Sequence, residues 1–195
     1  MKSIAVILAG GKSERAGILK GLRLYKGKFW LDEQILRLKD IGFTEIHIGL
    51  GFGHQDYINS CKELNHAYIH INQNPNFGPF STLKTVLKNI KTDYEKIIMF
   101  HVDRPIPKAS TLKLLDKRQI NDVLKLRFNN QSAHPIVFSK NLTHQLLEKA
   151  DSENLRQILR VLPNEKVSYI DVDDSLTQLN LNLPEEWKHF IKNDT

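Results

Sequence analysis

The sequence has a single cysteine, Cys61, among 195 residues. One thiol cannot form an internal disulfide, so nothing in the composition indicates an oxidising compartment, and a catalytic cysteine is not expected. Long hydrophobic runs are also missing. The first apolar run, Ile4 to Ala9, is too short to span a bilayer or to form the core of a signal peptide. These absences predict a cytoplasmic protein with no membrane partner.

No low-complexity segment, internal repeat or proline-rich linker divides the chain. Because 195 residues with 41% hydrophobic residues can build one core without disulfides, we expect residues 1–195 to form a single domain. The net charge of +6 indicates an anionic partner. Basic residues are scattered among acidic ones and form no long basic run, so we expect a phosphorylated small molecule and no nucleic acid.

Short apolar segments alternate with longer helix-like segments along the chain. Strands are predicted at Ser3 to Leu8, Glu45 to Leu50, Ala67 to Ile71, Ile97 to Val102, Val123 to Leu126, Pro135 to Phe138 and Val167 to Asp171. Helices are predicted at Trp30 to Ile41 and Ser81 to Ile90. The alternation predicts an α/β protein, a three-layer α/β/α sandwich with a Rossmann-like, mostly parallel sheet. Ligands of such sheets bind at the carboxyl ends of the strands.

The loop after the first strand is rich in glycine and cations. Gly10 and Gly11 allow backbone N–H groups to approach a phosphate or a base without obstruction by Cβ. Lys12, Arg15 and Lys20 place three cations in one short segment, which is costly by repulsion unless an anion binds there. The spacing matches neither a Walker loop nor a dinucleotide fingerprint. The alternative is a solvated glycine turn.

A polar, turn-forming stretch follows the third predicted strand, from Asn72 to Pro79. Asparagine amides can hydrogen-bond a base or a ribose, and Ser81 or Thr82 can cap the next helix so that its N-terminus faces a ligand. The alternative is a capped turn without a ligand, since turns use the same residues.

The fourth predicted strand ends in Asp103-Arg104-Pro105. A carboxylate at the carboxyl edge of a central parallel strand is well placed to hold a hard cation, and Mg²⁺ typically uses one or two carboxylates plus substrate phosphates. The alternative is an aspartate that accepts N–H bonds from the turn made by Pro105. Because the glycine loop lies in the same chain, we favour Mg²⁺ as the cofactor.

The pattern Leu-Ala-Gly-Gly-x-Ser-x-Arg-x-Gly-x-x-Lys at residues 8–20 resembles the nucleotidyltransferases related to molybdenum cofactor guanylyltransferase and cytidylyltransferase, the MobA-like family. Further matches extend the resemblance over nearly the whole chain: Gly78-Pro79 with Ser81-Thr82-Leu83, Asp103-Arg104-Pro105, Ala133-His134-Pro135 and residues 180–187. The resemblance implies a fold of the nucleotide-diphospho-sugar transferase type. In many relatives an aspartate stands where this chain has Asn180.

The resemblance also implies site residues. Those expected to bind the nucleotide are Leu8, Ala9, Gly10, Gly11, Lys12, Ser13, Asn72, Gly78 and Ser81. Asp103, Arg15 and Lys20 are expected to be catalytic, with Asp103 and Asn182 as the Mg²⁺ ligands.

By the same resemblance, the protein is expected to transfer a nucleoside monophosphate from a nucleoside triphosphate to a small phosphorylated acceptor such as molybdopterin. Gly10-Gly11 favours GTP, while the Ser81-Thr82-Leu83 region is closer to enzymes that use CTP. Two alternatives stay open: a sugar- or polyol-phosphate acceptor, and a nucleotide-binding accessory protein with impaired catalysis.

Overall fold

The computed structural model describes residues 3–13 and 17–193. The strands are β1 (Ser3–Ala9), β2 (Leu24–Tyr25), β3 (Lys28–Phe29), β4 (Ile46–Leu50), β5 (Tyr68–Ile71), β6 (Lys96–His101), β7 (Val123–Phe128), β8 (Gln131–Ser139) and β9 (Val167–Asp171). Seven of them form the main sheet, in the order β5-β4-β1-β6-β8-β7-β9, and β2 pairs with β3 in a small hairpin. In the main sheet β8 is antiparallel to both neighbours, whereas the other neighbouring strands are parallel.

The helices are α1 (Trp30–Ile41), α2 (His54–Ser60), α3 (Pro79–Asn89), α4 (Ala109–Lys117), α5 (Lys140–Leu147), α6 (Leu155–Arg160) and α7 (Pro184–Asn193). Helix α1 is capped by Gly42, whose backbone is left-handed (φ 108°). The Gly42 amide donates to the carbonyls of Leu38 and Lys39. Glycine adopts this conformation without the steric cost that a side chain would add. Helix α3 begins with Pro79, which is compatible with the first turn because no N–H is needed there.

The sheet is covered on both faces. Successive side chains of a strand point to opposite faces, so Ile7 of β1 packs with Leu31 and Leu38 of α1, while Val6 packs with Leu83 of α3. All five residues are fully buried, and each such side chain contributes about 1.5–3 kcal/mol to folding. Helices therefore lie on both sides of a mostly parallel sheet, which confirms the three-layer α/β prediction.

The predicted elements match the observed ones closely where hydrophobic periodicity is strong. Helix α1 has the predicted bounds, and each predicted strand corresponds to an observed strand, although β8 extends well beyond the predicted Pro135 to Phe138. The hairpin of β2 and β3, helix α2 and helices α4 to α7 were not predicted. These are short elements, and their stability depends on packing against the sheet rather than on their own periodicity.

The topology creates a crevice between β1 and β6. From β1 the chain continues through β4 and β5 on one side, and β6 then lies on the other side of β1. A reversal of this kind leaves an opening at the carboxyl ends of the two strands, where α/β proteins bind ligands. Among the described residues, no helix combines the length and the apolar composition needed to cross a bilayer.

Candidate functional site

A cavity of about 360 Å³ opens at the carboxyl ends of β1 and β6. It is lined by Leu8, Ala9, Gly10, Gly11, Lys12, Ser13, Lys20, Phe52, Pro75, Asn76, Gly78, Pro79, Thr82, His101, Val102 and Asp103. Its walls come from the glycine loop, the turn before α3 and the end of β6. The volume falls within the range of small-molecule sites.

Gly10 is closely surrounded. A Cβ added to Gly10 would lie 2.7 Å from Thr82 Oγ1 and 3.1 Å from Thr82 Cγ2, and the Gly10 carbonyl accepts a hydrogen bond from the Phe52 amide. Gly11 has open space where a Cβ would stand. The first glycine is therefore required by packing against α3, whereas the second leaves its backbone open to the cavity.

A hydrogen bond joins Ser13 of the glycine loop to Lys20 at the end of the same segment. The Lys20 amide donates to Ser13 Oγ at 3.3 Å, and Ser13 has a positive φ of 56°. On the other wall, Lys12 Nζ lies 5.0 Å from the centre of the Phe52 ring. Arg15, predicted to be catalytic, and Ala16 lie outside the described residues. Lys12 and Lys20 therefore reach the cavity from opposite ends of the loop.

At the end of β6, Lys20 bridges two oxygen atoms from distant parts of the chain. Lys20 Nζ donates to Asp103 Oδ2 at 2.9 Å and also to Asn182 Oδ1. The Lys20 and Asp103 side chains are 18% and 24% exposed. The two residues expected from the resemblance to bind Mg²⁺ thus both accept a hydrogen bond from the Lys20 ammonium. Asn182 does not itself line the cavity.

Burial alone would raise the pKa of Asp103. The hydrogen bond and charge of Lys20, together with the charge of Arg104, outweigh burial, so the pKa of Asp103 lies below its ordinary value. The carboxylate is therefore ionised at neutral pH. Burial lowers the pKa of His101, and it lowers the pKa of His134 to about 3, so both imidazoles are neutral beside the carboxylate.

Helix α1 positions the backbone around Asp103. Trp30 Nε1 donates to the carbonyl of Val102 at 2.8 Å, and Gln34 Nε2 donates to the carbonyl of Arg104 at 2.7 Å. These bonds hold the residues on both sides of Asp103. Buried backbone carbonyls need such partners, so α1 both covers the sheet and determines where the carboxylate lies.

Arg23 is a further site residue that the sequence did not indicate. Its buried guanidinium donates to the carbonyl oxygens of Leu181 at 2.7 Å and Asn182 at 3.2 Å, and it lies 5.5 Å from the ring of Trp187. The Leu181 amide donates to the carbonyl of Asp103 at 2.8 Å. Arg23, three residues after Lys20, is part of no recognisable motif, and its partners lie about 160 residues away along the chain.

Asn72 and Ser81 do not line the cavity. The buried Asn72 amide donates to the hydroxyls of Ser81 at 2.8 Å and Thr82 at 3.0 Å, and its Oδ1 accepts from the Asn74 amide at 2.9 Å. These bonds hold the turn that carries Pro75, Asn76 and Gly78 against α3. The predicted nucleotide contacts of Asn72 and Ser81 therefore stay predictions, and the structure gives both residues a role in shaping the wall.

The donor atoms at Asp103 and Asn182 fit a hard divalent cation. A carboxylate and an amide oxygen are both oxygen ligands, and Mg²⁺ commonly takes one or two carboxylates together with substrate phosphates and water. Within residues 3–13 and 17–193 there is no group of three or more His, Cys, Asp or Glu that could hold a metal without such help. Asn182 is the asparagine that accepts from Lys20, whereas Asn180 Oδ1 is buried and lacks a hydrogen-bond partner among the described residues.

Comparison with known proteins identifies the family of the chain. The family model described as MobA-like NTP transferase domain matches residues 5–167. The molybdenum cofactor guanylyltransferase of Xanthomonas euvesicatoria pv. vesicatoria (strain 85-10) is 27% identical over 192 residues, covering 95% of this chain and 93% of the relative.

Several solved structures share the fold. Rv0371c from Mycobacterium tuberculosis H37Rv matches with a TM-score of 0.83 at 18% identity over 98% of both chains, and its manganese complex matches with a TM-score of 0.81. HddC from Yersinia pseudotuberculosis in complex with GMP-PN matches with a TM-score of 0.74 at 17% identity over 100% of both chains. At these identities the likeness shows a common fold.

Proposed function

Because the chain belongs to the MobA-like NTP transferase family and is a nucleotidyltransferase, we propose that it transfers GMP from GTP to the phosphate of molybdopterin, with Mg²⁺ as cofactor and pyrophosphate as the second product. One observation carries this proposal. Asp103 and Lys20 meet at the end of a cavity that the glycine loop also lines, so that an ionised carboxylate and an ammonium would face the same polyphosphate.

The nucleotide lies along the glycine loop in this proposal. The open backbone of Gly11, with Lys12 and Ser13, surrounds the phosphates, and Leu8 and Ala9 form the floor of the cavity at the end of β1. Gly78 of the turn before α3 contributes the facing wall. Arg15 is proposed to join Lys20 on the phosphates.

The reaction is the attack of an acceptor phosphate oxygen on the α-phosphorus. The new P–O bond forms as the bond from the α-phosphorus to the bridging oxygen breaks, and the electron pair leaves with pyrophosphate. Since the acceptor phosphate is already ionised, the site needs no general base, and positioning with charge neutralisation supplies most of the rate. Lys20 neutralises charge on the phosphates, and Asp103 with Asn182 would hold Mg²⁺, which would neutralise charge as the nucleotidyl group is transferred.

Support for GTP comes from the relatives. The curated relative is a guanylyltransferase, and the HddC structure contains GMP-PN. Thr82 leaves no room for a Cβ at position 10, so a glycine there reflects packing as well as any preference for the base. We therefore base the choice of guanine on the relatives rather than on Gly10.

The decisive experiment measures pyrophosphate release from the purified protein with Mg²⁺, molybdopterin and each of the four ribonucleoside triphosphates. We expect release with GTP only, together with a melting temperature raised by GTP and Mg²⁺ because a ligand that binds the folded state stabilises it. Pyrophosphate release with a sugar phosphate or polyol phosphate, and none with molybdopterin, would show that the acceptor belongs to that class instead. Binding of GTP without turnover of any acceptor would contradict catalysis and favour the accessory role.

A further inference from the structure

The Lys20 ammonium lies between the two oxygen atoms that suit a metal ion. It donates to Asp103 Oδ2 at 2.9 Å and to Asn182 Oδ1, and these two residues belong to loops far apart in the sequence. An ammonium in this position satisfies both oxygens and compensates the charge of the carboxylate. A divalent cation bound by both residues would need the same Asn182 oxygen and an oxygen of the same carboxylate.

The backbones of Asp103 and Asn182 are held by contacts independent of Lys20. The amide of Leu181 donates to the carbonyl of Asp103, which joins the two loops directly. Arg23 donates to the carbonyls of Leu181 and Asn182, and its own side chain is buried beside Trp187. The backbones that carry the two oxygens therefore stay in place when the ammonium leaves.

The backbone at Lys20 is held as well, but its side chain can move. The Lys20 amide donates to Ser13 Oγ, and a Cβ on the neighbouring Gly21 would lie 2.6 Å from Tyr57 Cε1 and 3.0 Å from Val102 Cγ2, so this turn is packed tightly against the end of β6. The lysine side chain has four rotatable carbon–carbon bonds and also lines the cavity. It can thus exchange Asp103 for a phosphate without any change of the backbone.

We infer that Lys20 and the divalent cation compete for Asp103 and Asn182, and that the nucleotide phosphates resolve the competition by drawing the ammonium into the cavity. This inference rests on the proposed function for the identity of the anion. Two cations cannot share the oxygens, because an ammonium and a doubly charged ion at such short range repel strongly. The metal therefore binds well only together with the nucleotide, and Lys20 determines that order.

The test is Mn²⁺ binding to the full chain without nucleotide, measured by calorimetry and by the electron paramagnetic resonance signal of free Mn²⁺. Lys20→Met removes the ammonium and keeps the length of the side chain. We expect Lys20→Met to bind Mn²⁺ at least about tenfold more tightly than the unsubstituted protein, because the competing cation is gone. Adding a non-hydrolysable GTP analogue should raise the Mn²⁺ affinity of the unsubstituted protein much more than that of Lys20→Met.

The matched control is Lys12→Met, which removes an equal charge from the same cavity at a residue away from both oxygens. We expect its Mn²⁺ affinity without nucleotide to change less than about threefold, since charge at a distance is screened. The double variant Lys20→Met with Asp103→Asn should lose the gain in Mn²⁺ affinity, which would identify Asp103 as part of the Mn²⁺ site. Equal Mn²⁺ affinities for Lys20→Met and the unsubstituted protein, or an equal gain in Lys12→Met, would overturn the inference.

Failure of this inference is distinguishable from failure of the proposed function. Pyrophosphate release with GTP and molybdopterin, combined with no effect of Lys20→Met on Mn²⁺ binding, would leave the function standing and remove the competition. A gain in Mn²⁺ affinity in a protein that releases no pyrophosphate would leave the competition standing and remove the function.

Discussion

Two polar clusters, one at the end of β6 and one at the turn before α3, border the cavity and differ in how their hydrogen bonds are completed. In the first, Asp103 and Asn182 are joined by the flexible side chain of Lys20. In the second, the Asn72 amide is bonded to Ser81, Thr82 and the Asn74 backbone within one compact turn. The first cluster can exchange its lysine for a metal and a phosphate, whereas the second can bind a ligand directly only by breaking bonds that hold the wall.

The largest expected effect follows from removing the carboxylate of the first cluster. Asp103→Ala should lower the rate of pyrophosphate release by about a thousandfold or more, since loss of a group that stabilises charge in the transition state typically costs ~10²–10³ and the metal ligand is lost as well. The melting temperature should stay within a few degrees.

Asp40→Ala, at the exposed end of α1, serves as the control for loss of a carboxylate. It should leave both the rate and the melting temperature unchanged. An unaltered rate in Asp103→Ala would remove this residue from the mechanism.

The second-largest effect is expected from a change at the contact between the glycine loop and α3. In Gly10→Ala, the new methyl group would lie 2.7 Å from Thr82 Oγ1, so either the loop or Thr82 must shift. We expect GTP affinity to fall about tenfold, which corresponds to about 1.4 kcal/mol. Calorimetric titration with a non-hydrolysable GTP analogue measures the change.

The double variant of Gly10→Ala with Thr82→Ala sharpens the result, because the second substitution removes the two atoms that the methyl group would approach most closely. Recovery of most of the affinity would show coupling between the two positions. Equal losses in the single and double variants would indicate that Gly10 acts through the ligand and not through α3.

The second cluster should affect stability more than metal binding. Asn72→Ala leaves the buried hydroxyls of Ser81 and Thr82 without their donor, so the free energy of unfolding should fall by about 1–3 kcal/mol. Urea unfolding measures this loss. Mn²⁺ affinity without nucleotide should be unchanged, and a large loss there would contradict the separation of the two clusters.

The smallest expected effect concerns His47 and His70, two neighbouring histidines that do not line the cavity. His47 Nδ1 lies 2.8 Å from His70 Nε2, and His47 Nε2 lies 2.8 Å from Glu45 Oε1, which also accepts from Thr92. Burial, with help from the charge of His47, lowers the pKa of His70 to about 4 from an ordinary value of 6.5. The unfolded chain therefore binds more protons, and the contribution of His70 to stability should decrease as the pH falls from about 6.5 to about 4.

Urea unfolding at pH 7.5, 6.0 and 5.0 checks this slope. His70→Gln does not titrate but can still bond to His47, so its stability should depend less steeply on pH than that of the unsubstituted protein. The same slope in both proteins would exclude His70 as the titrating group.

Much of the site could be predicted because local sequence and strand ends carry the signal. Leu8 to Ser13, Lys20, Gly78 and Asp103 all line the cavity, as expected for residues that follow parallel strands. Arg23 could not be found in the same way. Its partners, Leu181 and Asn182, come from the far end of the chain, and a buried arginine bonded to carbonyl oxygens has no short sequence pattern.

The sequence by itself determined the α/β layering, the glycine loop and the carboxylate at the end of β6, since hydrophobic periodicity and glycine placement act over a few neighbouring residues. Only the tertiary structure decided that Asn182 rather than Asn180 meets Lys20, and that Asn72 supports the wall instead of facing the cavity. These outcomes depend on hydrogen bonds between loops distant in the chain. Such bonds form only after the sheet has brought the loops together.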